Sequence, residues 1–173
     1  RIEIKGRKID ANQEIVLDGI EGNAIEIQAE IETNGSPMVE LNVLRSPDRQ
    51  EYTRIAFYRN RGLRYPAPRE GASARECADS LITIDSSYSS LLPDVISRAP
   101  ETAPVYLAPD ERLSLRIFID KSVVEVFIND KQCVAMRVYP GREDSTGVSI
   151  RSQGRDIELV SLEMWQMKSI YDS

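Results

Sequence analysis

Hydrophobic and polar residues alternate with a period of two along much of the chain. Residues 24 to 31 place Ile25, Ile27, Ala29 and Ile31 on one face and polar side chains on the other. Such alternation predicts a β-strand with one buried face. The same pattern predicts further strands over residues 38–44, 52–58 and 81–85.

The densest run of strand-forming residues lies in the second half of the chain. Leucine and isoleucine alternate with polar residues from Leu113 to Ile119, and a β-branched and aromatic run follows from Val123 to Ile128. A third strand is expected at Cys133–Tyr139, where Pro140 and Gly141 end it. The turns are expected at Asp120-Lys121-Ser122 and Asn129-Asp130, and two more strands at Val148–Arg151 and Ile157–Trp165.

Many short strands separated by turn residues, with no helical stripe, are typical of an all-β fold. We therefore predict that residues 1–173 form a single domain in which two antiparallel sheets pack face to face as a β-sandwich of the concanavalin-like or jelly-roll type. Two long irregular stretches, 59–80 and 86–104, hold most of the prolines. Loops of this length usually carry function or contact a partner.

Composition excludes several classes of function. The net charge is -6 and the Lys and Arg residues are scattered, which argues against nucleic acid as a partner. No apolar run approaches the ~20 residues that would cross a bilayer, so no membrane contact is expected. The chain has no His, which excludes a Ser-His-Asp or Cys-His mechanism, and nucleotide-binding glycine motifs are missing. We expect neither a metal site nor a cofactor.

The two cysteines, Cys77 and Cys133, lie far apart and outside any CxxC motif. A disulfide between them and two free, mostly buried thiols both remain open, and the free thiols are favoured.

The stretch Leu113-Ser-Leu-Arg-Ile-Phe-Ile-Asp-Lys-Ser-Val-Val-Glu-Val-Phe-Ile-Asn-Asp130 resembles the signature of the C-terminal β-sandwich of glycoside hydrolase family 32. That family includes invertases, levanases, inulinases and sucrose-6-phosphate hydrolases. The resemblance continues through Cys133–Pro140 and the strand 159–165, is weaker over Ile25–Ile31 and Asp85-Ser86, and is closer to levanases and exo-inulinases than to plant invertases. Lys131 stands where the family often has Gly, which predicts a slightly wider turn after Ile128.

The resemblance implies that a five-bladed propeller precedes the sandwich and carries the chemistry. The family's nucleophile motif, Trp-Met-Asn-Asp-Pro-Asn-Gly, is absent here, because the only Trp is Trp165 and no Asn-Asp-Pro follows it. The chain, which begins at Arg1, is therefore predicted to be a fragment without catalytic residues. Its expected partner is the catalytic propeller of the same polypeptide, which it would stabilise while contributing to the substrate cleft or a dimer interface. This function predicts an exposed apolar patch on the chain.

Three short segments resemble catalytic motifs but are better explained by structure. Glu76-Cys77 matches the family's acid/base pair yet lies in an irregular loop, and Arg45-Ser46-Pro47-Asp48 is interpreted as a strand end followed by a turn. Asp120 and Glu125 flank a hairpin turn, where Asp120 would bond turn amides and Glu125 would pair with Arg116 or Arg137.

Sugar binding would need exposed aromatic rings. Tyr65 and Tyr88 lie in loops and are the best candidates, whereas most other aromatic residues fall at strand positions and are expected in the core. Phe118 falls on the polar face of its strand, which suggests that the second sheet or a partner domain covers this face. No ligand-binding residue can be assigned from these patterns. A stand-alone carbohydrate-binding module is the alternative function. The oligomeric state stays open, with an extracellular or periplasmic location favoured over a cytoplasmic one.

Overall fold

The computed structural model describes residues 1–62 and 79–168. Within these ranges all regular secondary-structure elements are β-strands. The strands are β1 Ile2–Ile9, β2 Ile15–Glu21, β3 Ala24–Glu32, β4 Met38–Arg45, β5 Thr53–Tyr58, β6 Ser80–Asp85, β7 Glu101–Val105, β8 Leu113–Asp120, β9 Val123–Ile128, β10 Gln132–Arg137, β11 Gly147–Gln153 and β12 Ile157–Gln166.

These strands form two antiparallel sheets of six strands each. Sheet A has the order β1-β12-β3-β8-β9-β10, and sheet B has the order β2-β11-β4-β5-β6-β7. One hydrophobic core contains residues of both sheets, so the sheets pack face to face. The predicted all-β, two-sheet antiparallel sandwich is confirmed.

The core follows from the alternation in the sequence. In β8 the side chains of Leu113, Leu115, Ile117 and Ile119 are buried, and the intervening residues lie on the outer face of sheet A. In β5 and β6, Phe57 and Ile82 are paired across the strands and fully buried in the same core. Burying each such side chain stabilises the fold by about 1.5–3 kcal/mol.

Three strands were not expected from the sequence. Gly6, at a φ of 59°, interrupts the pairing of β1 with β12, and Gly19, at 81°, interrupts the alternation in β2. The strand β7 includes Pro104, which is tolerated because β7 lies at the edge of sheet B. The prediction that residues 86–104 are irregular is therefore wrong for the last part of that stretch.

The β9–β10 turn is wider by one residue, as expected. Asn129 and Asp130 both have positive φ, 49° and 51°, and Lys131 donates its backbone N–H to the carbonyl of Ile128 over 2.9 Å. Gln132 then pairs with Ile128, so three residues connect the strands. Asn and Asp tolerate the left-handed conformation that Gly would otherwise supply.

Strand directions place the start of the chain and several loops at one end of the sandwich, which we call the Arg1 end. Residue Ile2 pairs with Met164, Ala24 with Asp120, and Arg45 with Gly147. The two sheets meet there through the hydrogen bond from the Gly22 N–H to the Thr146 carbonyl, 2.9 Å long. The connections at this end are residues 22–23, 46–52, 86–100, 121–122 and 138–146.

Candidate docking surface

A buried carboxylate holds three loops together at the Arg1 end. Glu51 has no exposed surface, and its carboxylate accepts hydrogen bonds from the backbone N–H groups of Leu91 at 2.8 Å, Gly141 at 2.9 Å and Arg142 at 3.1 Å. The Ser145 hydroxyl donates a fourth bond over 2.6 Å. Burial alone raises the pKa of Glu51, but these four donors together outweigh it and leave that pKa below its ordinary value.

A surface ion pair reinforces the same junction. Arg142 Nη1 lies 2.8 Å from both carboxylate oxygens of Asp48, and Arg142 Nη2 lies 2.6 Å from Asp144 Oδ2. The hydrogen bond from Arg142, helped by one from the Ser46 hydroxyl, lowers the pKa of Asp48 to about 2. These contacts connect residues 46–52 with residues 138–146.

The space around Gly141 explains why this position carries no side chain. A Cβ atom there would lie 2.7 Å from Leu92 Cγ and 3.0 Å from a carboxylate oxygen of Glu51. Leu92 therefore packs directly on the backbone of Gly141. The loop 86–100 is held in place from both sides, by Glu51 through hydrogen bonds and by Gly141 through close packing.

Two stacked tyrosines join the connection 46–52 to the loop 86–100. The rings of Tyr52 and Tyr88 lie 5.4 Å apart and are inclined by only 8°, and the Tyr52 N–H donates to the Tyr88 carbonyl over 2.9 Å. The Arg49 guanidinium lies 4.9 Å from the centre of the Tyr52 ring. Tyr52 is buried, whereas Tyr88 is 60% exposed. The Tyr88 ring is therefore held in place by Tyr52 while much of it stays exposed to solvent.

Several large apolar side chains on and beside this loop face solvent. The exposed fraction is 89% for Ile96, 55% for Leu91 and 49% for Tyr139. We call the set the Tyr88 surface, and its members are Tyr88, Leu91, Leu92, Ile96 and Tyr139. Exposed apolar residues that form a patch on a protein usually mark an interaction site. Among the described residues, several exposed apolar side chains lie at the Arg1 end, as a docking function predicts.

Known proteins resemble this chain in sequence. A family model described as Glycosyl hydrolases family 32 C terminal matches residues 3–166. The chain belongs to this family. It is 28% identical over 159 residues to a levanase from Bacillus sp. (strain L7), covering 91% of this chain and 15% of that relative. It is 32% identical over 135 residues to an acid beta-fructofuranosidase from Vicia faba, covering 76% and 19%.

The same fold is also seen in solved structures. Fructan 1-exohydrolase IIa from Cichorium intybus superposes with a TM-score of 0.79 at 17% sequence identity, covering 97% of this chain and 35% of that one. The chain spans less than a fifth of the length of the levanase and the beta-fructofuranosidase. A bacterial levanase and a plant enzyme are both among the relatives, so the closer likeness to levanases stays a prediction.

Among the segments that resemble catalytic motifs, Arg45–Asp48 is a strand end followed by a turn, as expected. Strand β4 ends at Arg45, and the Arg49 N–H donates to the Ser46 carbonyl over 3.0 Å. Arg45 is nearly buried and its Nε bonds Glu14 Oε1 over 2.7 Å. Glu76-Cys77 and Tyr65 lie outside the described residues.

The expected contacts of Asp120 and Glu125 are wrong. Arg116 pairs with Glu26 on the neighbouring strand, with 2.7 Å between Nε and Oε1, rather than with Glu125. Within residues 1–62 and 79–168, neither Glu125 nor Asp120 forms an ion pair or a side-chain hydrogen bond. Glu26 and Glu125 both lie opposite Phe118, on the two strands that flank β8, and Arg116 pairs with Glu26.

The expectation that strand aromatics lie in the core holds for Tyr52 and Phe57 but is wrong elsewhere. Tyr106, Phe127 and Tyr139 are 69%, 37% and 49% exposed. Phe118 is half-buried on the outer face of sheet A, where it meets the edge of Phe127 at 5.9 Å, so the second sheet does not cover it. Tyr106 and Tyr139 follow the ends of strands, where alternation no longer indicates the buried face.

The remaining predictions concern the cysteines, metal binding and membrane insertion. Cys133 is exposed on β10, which corrects the expected burial of this thiol, while Cys77 lies outside the described residues. In the part of the chain that the structure describes, no group of three His, Cys, Asp or Glu residues could hold a metal ion. Nor does any helix there have the length and apolar character to cross a bilayer.

Proposed function

We propose that this chain is the non-catalytic C-terminal sandwich of a β-fructosidase, which acts on sucrose, levan or inulin, and that its Tyr88 surface packs against the catalytic domain preceding it in the same polypeptide. Membership in family 32 supports the class of enzyme. The substrate class rests on the names of its relatives, which are a levanase and an acid beta-fructofuranosidase.

The observation that carries the docking is the position of the apolar residues. The Tyr88 surface lies at the end of the sandwich where β1 begins, which is the end to which a preceding domain would be joined. Interface centres are enriched in Tyr and large apolar side chains and depleted in charge. The stacked Tyr52 and the Glu51 bonds hold this surface in one shape before docking, which lowers the entropic cost of association.

The carboxyl groups with clear pKa shifts are engaged in structural contacts. Among the described residues, every carboxyl group with a clear shift has a lowered pKa. Such groups are suited to accept hydrogen bonds and pair with cations, as Glu51 and Asp48 do.

An assay of fructose release tests this function. The chain is compared with a longer polypeptide that also contains the preceding domain, using sucrose, levan and inulin. We expect turnover from the longer polypeptide and none from the chain alone. Turnover by the chain alone that is abolished by Glu76→Gln would show instead that the sandwich is an enzyme.

A further inference from the structure

A tight turn lies where the chain passes from sheet A to sheet B, at the end of the sandwich opposite the Arg1 end. It consists of Thr33-Asn34-Gly35-Ser36, between β3 and β4, and the Ser36 N–H donates to the Thr33 carbonyl over 2.8 Å. Asn34 and Gly35 have φ values of 50° and 73° and are both exposed to solvent. Asn-Gly is a dipeptide that adopts this left-handed geometry readily.

The Asn34–Gly35 pair also combines two groups that can react with each other. Asparagine is chemically labile, because the backbone nitrogen of the next residue can attack its side-chain amide carbon and close a five-membered ring. Glycine hinders that attack least, since it has no Cβ atom. Asn34 is the only asparagine in the chain that is followed by glycine. Among the described residues, the Gly35 N–H donates no hydrogen bond, so none has to break before it reacts.

A cation lies against the peptide group that would react. Arg155 Nη1 donates to the Asn34 carbonyl over 3.2 Å, and it lies 3.7 Å from the position that a Cβ atom on Gly35 would occupy. The Asn34 carbonyl and the Gly35 N–H belong to the same peptide group. A guanidinium bonded to that carbonyl withdraws electrons from the group, which makes the N–H easier to deprotonate and the nitrogen available for attack.

We propose that Asn34 is a site of spontaneous deamidation and that Arg155 promotes the reaction. A solvent base removes the proton of Gly35, whose nitrogen forms a bond to Asn34 Cγ. The Cγ–Nδ2 bond then breaks, and ammonia leaves with a proton that replaces the one lost from Gly35. Water opens the resulting succinimide at either of its carbonyl carbons and leaves aspartate or isoaspartate at position 34. The net change replaces NH2 by OH and needs no oxidant or reductant.

The product no longer fits the surroundings of asparagine. The Asn34 Nδ2 group donates to the Asp156 carbonyl over 3.1 Å, and the Asn34 backbone N–H donates to Glu32 Oε1 over 3.4 Å. A carboxylate at position 34 loses the bond to Asp156 and adds a negative charge beside Glu32. Deamidation therefore weakens the contact between the β3–β4 turn and residues 154–156, which connect β11 in sheet B to β12 in sheet A.

Peptide mapping by mass spectrometry tests the proposal on the whole chain after incubation at mildly alkaline pH. We expect intact Asn34 to be lost, with aspartate and isoaspartate both appearing, in proportion to hydroxide concentration. Asn12 is the internal control and should stay intact, because it is also exposed, with a φ of 63°, but is followed by Gln13. Arg155→Ala should slow the loss by about threefold, the factor that one exposed charged contact supplies, and Arg155→Lys should restore much of the rate.

Thermal unfolding measures the consequence. Asn34→Asp, which carries one of the two products, should lower Tm by about 2–4 °C, whereas Asn12→Asp keeps the oxygen that accepts from the Gly154 N–H and should change Tm little. Three results would overturn the proposal: an Asn34 as stable as Asn12, a loss in Arg155→Ala as fast as in the wild type or faster, or equal Tm in the two aspartate variants. Because the turn lies opposite the Tyr88 surface, none of these results bears on the docking proposal.

Discussion

Replacing Glu51 with alanine is expected to lower the free energy of unfolding of this chain by about 3–5 kcal/mol, which corresponds to a fall in Tm on the order of 10 °C for a domain of this size. The substitution leaves four donors without their acceptor, namely three backbone N–H groups and the Ser145 hydroxyl. An unpaired buried donor costs about 1–3 kcal/mol, and the costs are not additive because the donors share one partner.

Two variants control for this effect, with unfolding followed in urea by fluorescence. Glu51→Gln keeps one carbonyl oxygen as an acceptor but turns an amide group toward donors, so about half the loss is expected. Glu143→Ala removes an exposed glutamate from the same end and should change stability by less than about 0.5 kcal/mol. A Glu51→Ala chain as stable as the Glu143→Ala chain would show that Glu51 does not hold the loops.

The pH dependence of stability gives an independent signature of Glu51. Its pKa lies below the ordinary value of 4.5 in the folded chain, so the unfolded chain binds more protons in this region and stability rises with pH. The contribution is fully present above about pH 5 and is lost as the pH falls toward the folded pKa. The stability difference between wild type and Glu51→Gln should therefore shrink on acidification, and a constant difference from pH 6 to pH 3 would contradict this assignment.

The sandwich should unfold at a higher temperature in a polypeptide that contains the preceding domain than it does alone, and Leu91→Lys should abolish that difference. Docking stabilises the folded sandwich, because the neighbouring domain binds it only when it is folded. A lysine at Leu91 would place an unpaired charge in the interface at a cost of about 3 kcal/mol, or about 6–12 °C.

Scanning calorimetry of both polypeptides measures this effect. In the chain alone Leu91 is 55% exposed, so Leu91→Lys should change Tm little. Val16→Lys is the matched control, since Val16 is 44% exposed on the edge strand β2 and outside the Tyr88 surface. Equal transition temperatures of the wild-type sandwich in both polypeptides would count against docking at any surface.

Local patterns in the sequence predict the central strands of this fold and the edge strand β10, but not the other three edge strands. The alternation from Ala24 to Ile31 and from Leu113 to Ile119 directly reflects burial between the sheets. Alternation of hydrophobic and polar residues does not predict the edge strands β1, β2 and β7, because these strands are less buried and contain Gly6, Gly19 and Pro104. Edge strands tolerate these residues because one side of the backbone has no neighbour to pair with.

The candidate site depends on contacts that no local pattern reveals. Glu51 meets Leu91 from 40 residues away and Ser145 from 94 residues away, and its own surroundings in the sequence suggest only a polar turn. The Leu91-Leu92-Pro93 segment in a long irregular stretch is the one signal of an exposed apolar loop. The absence of the family's nucleophile motif, in contrast, could be seen from the sequence directly.

The most direct test of the docking proposal is carbene footprinting of the Tyr88 surface in the chain alone and in the polypeptide that contains the preceding domain. Tyr106 is 69% exposed at the opposite end of the sandwich and serves as the internal reference. We expect labelling of Tyr88, Leu91 and Ile96 to fall severalfold in the longer polypeptide while labelling of Tyr106 stays constant. Unchanged labelling of Tyr88 and Leu91, or protection of Tyr106 in their place, would contradict the proposal.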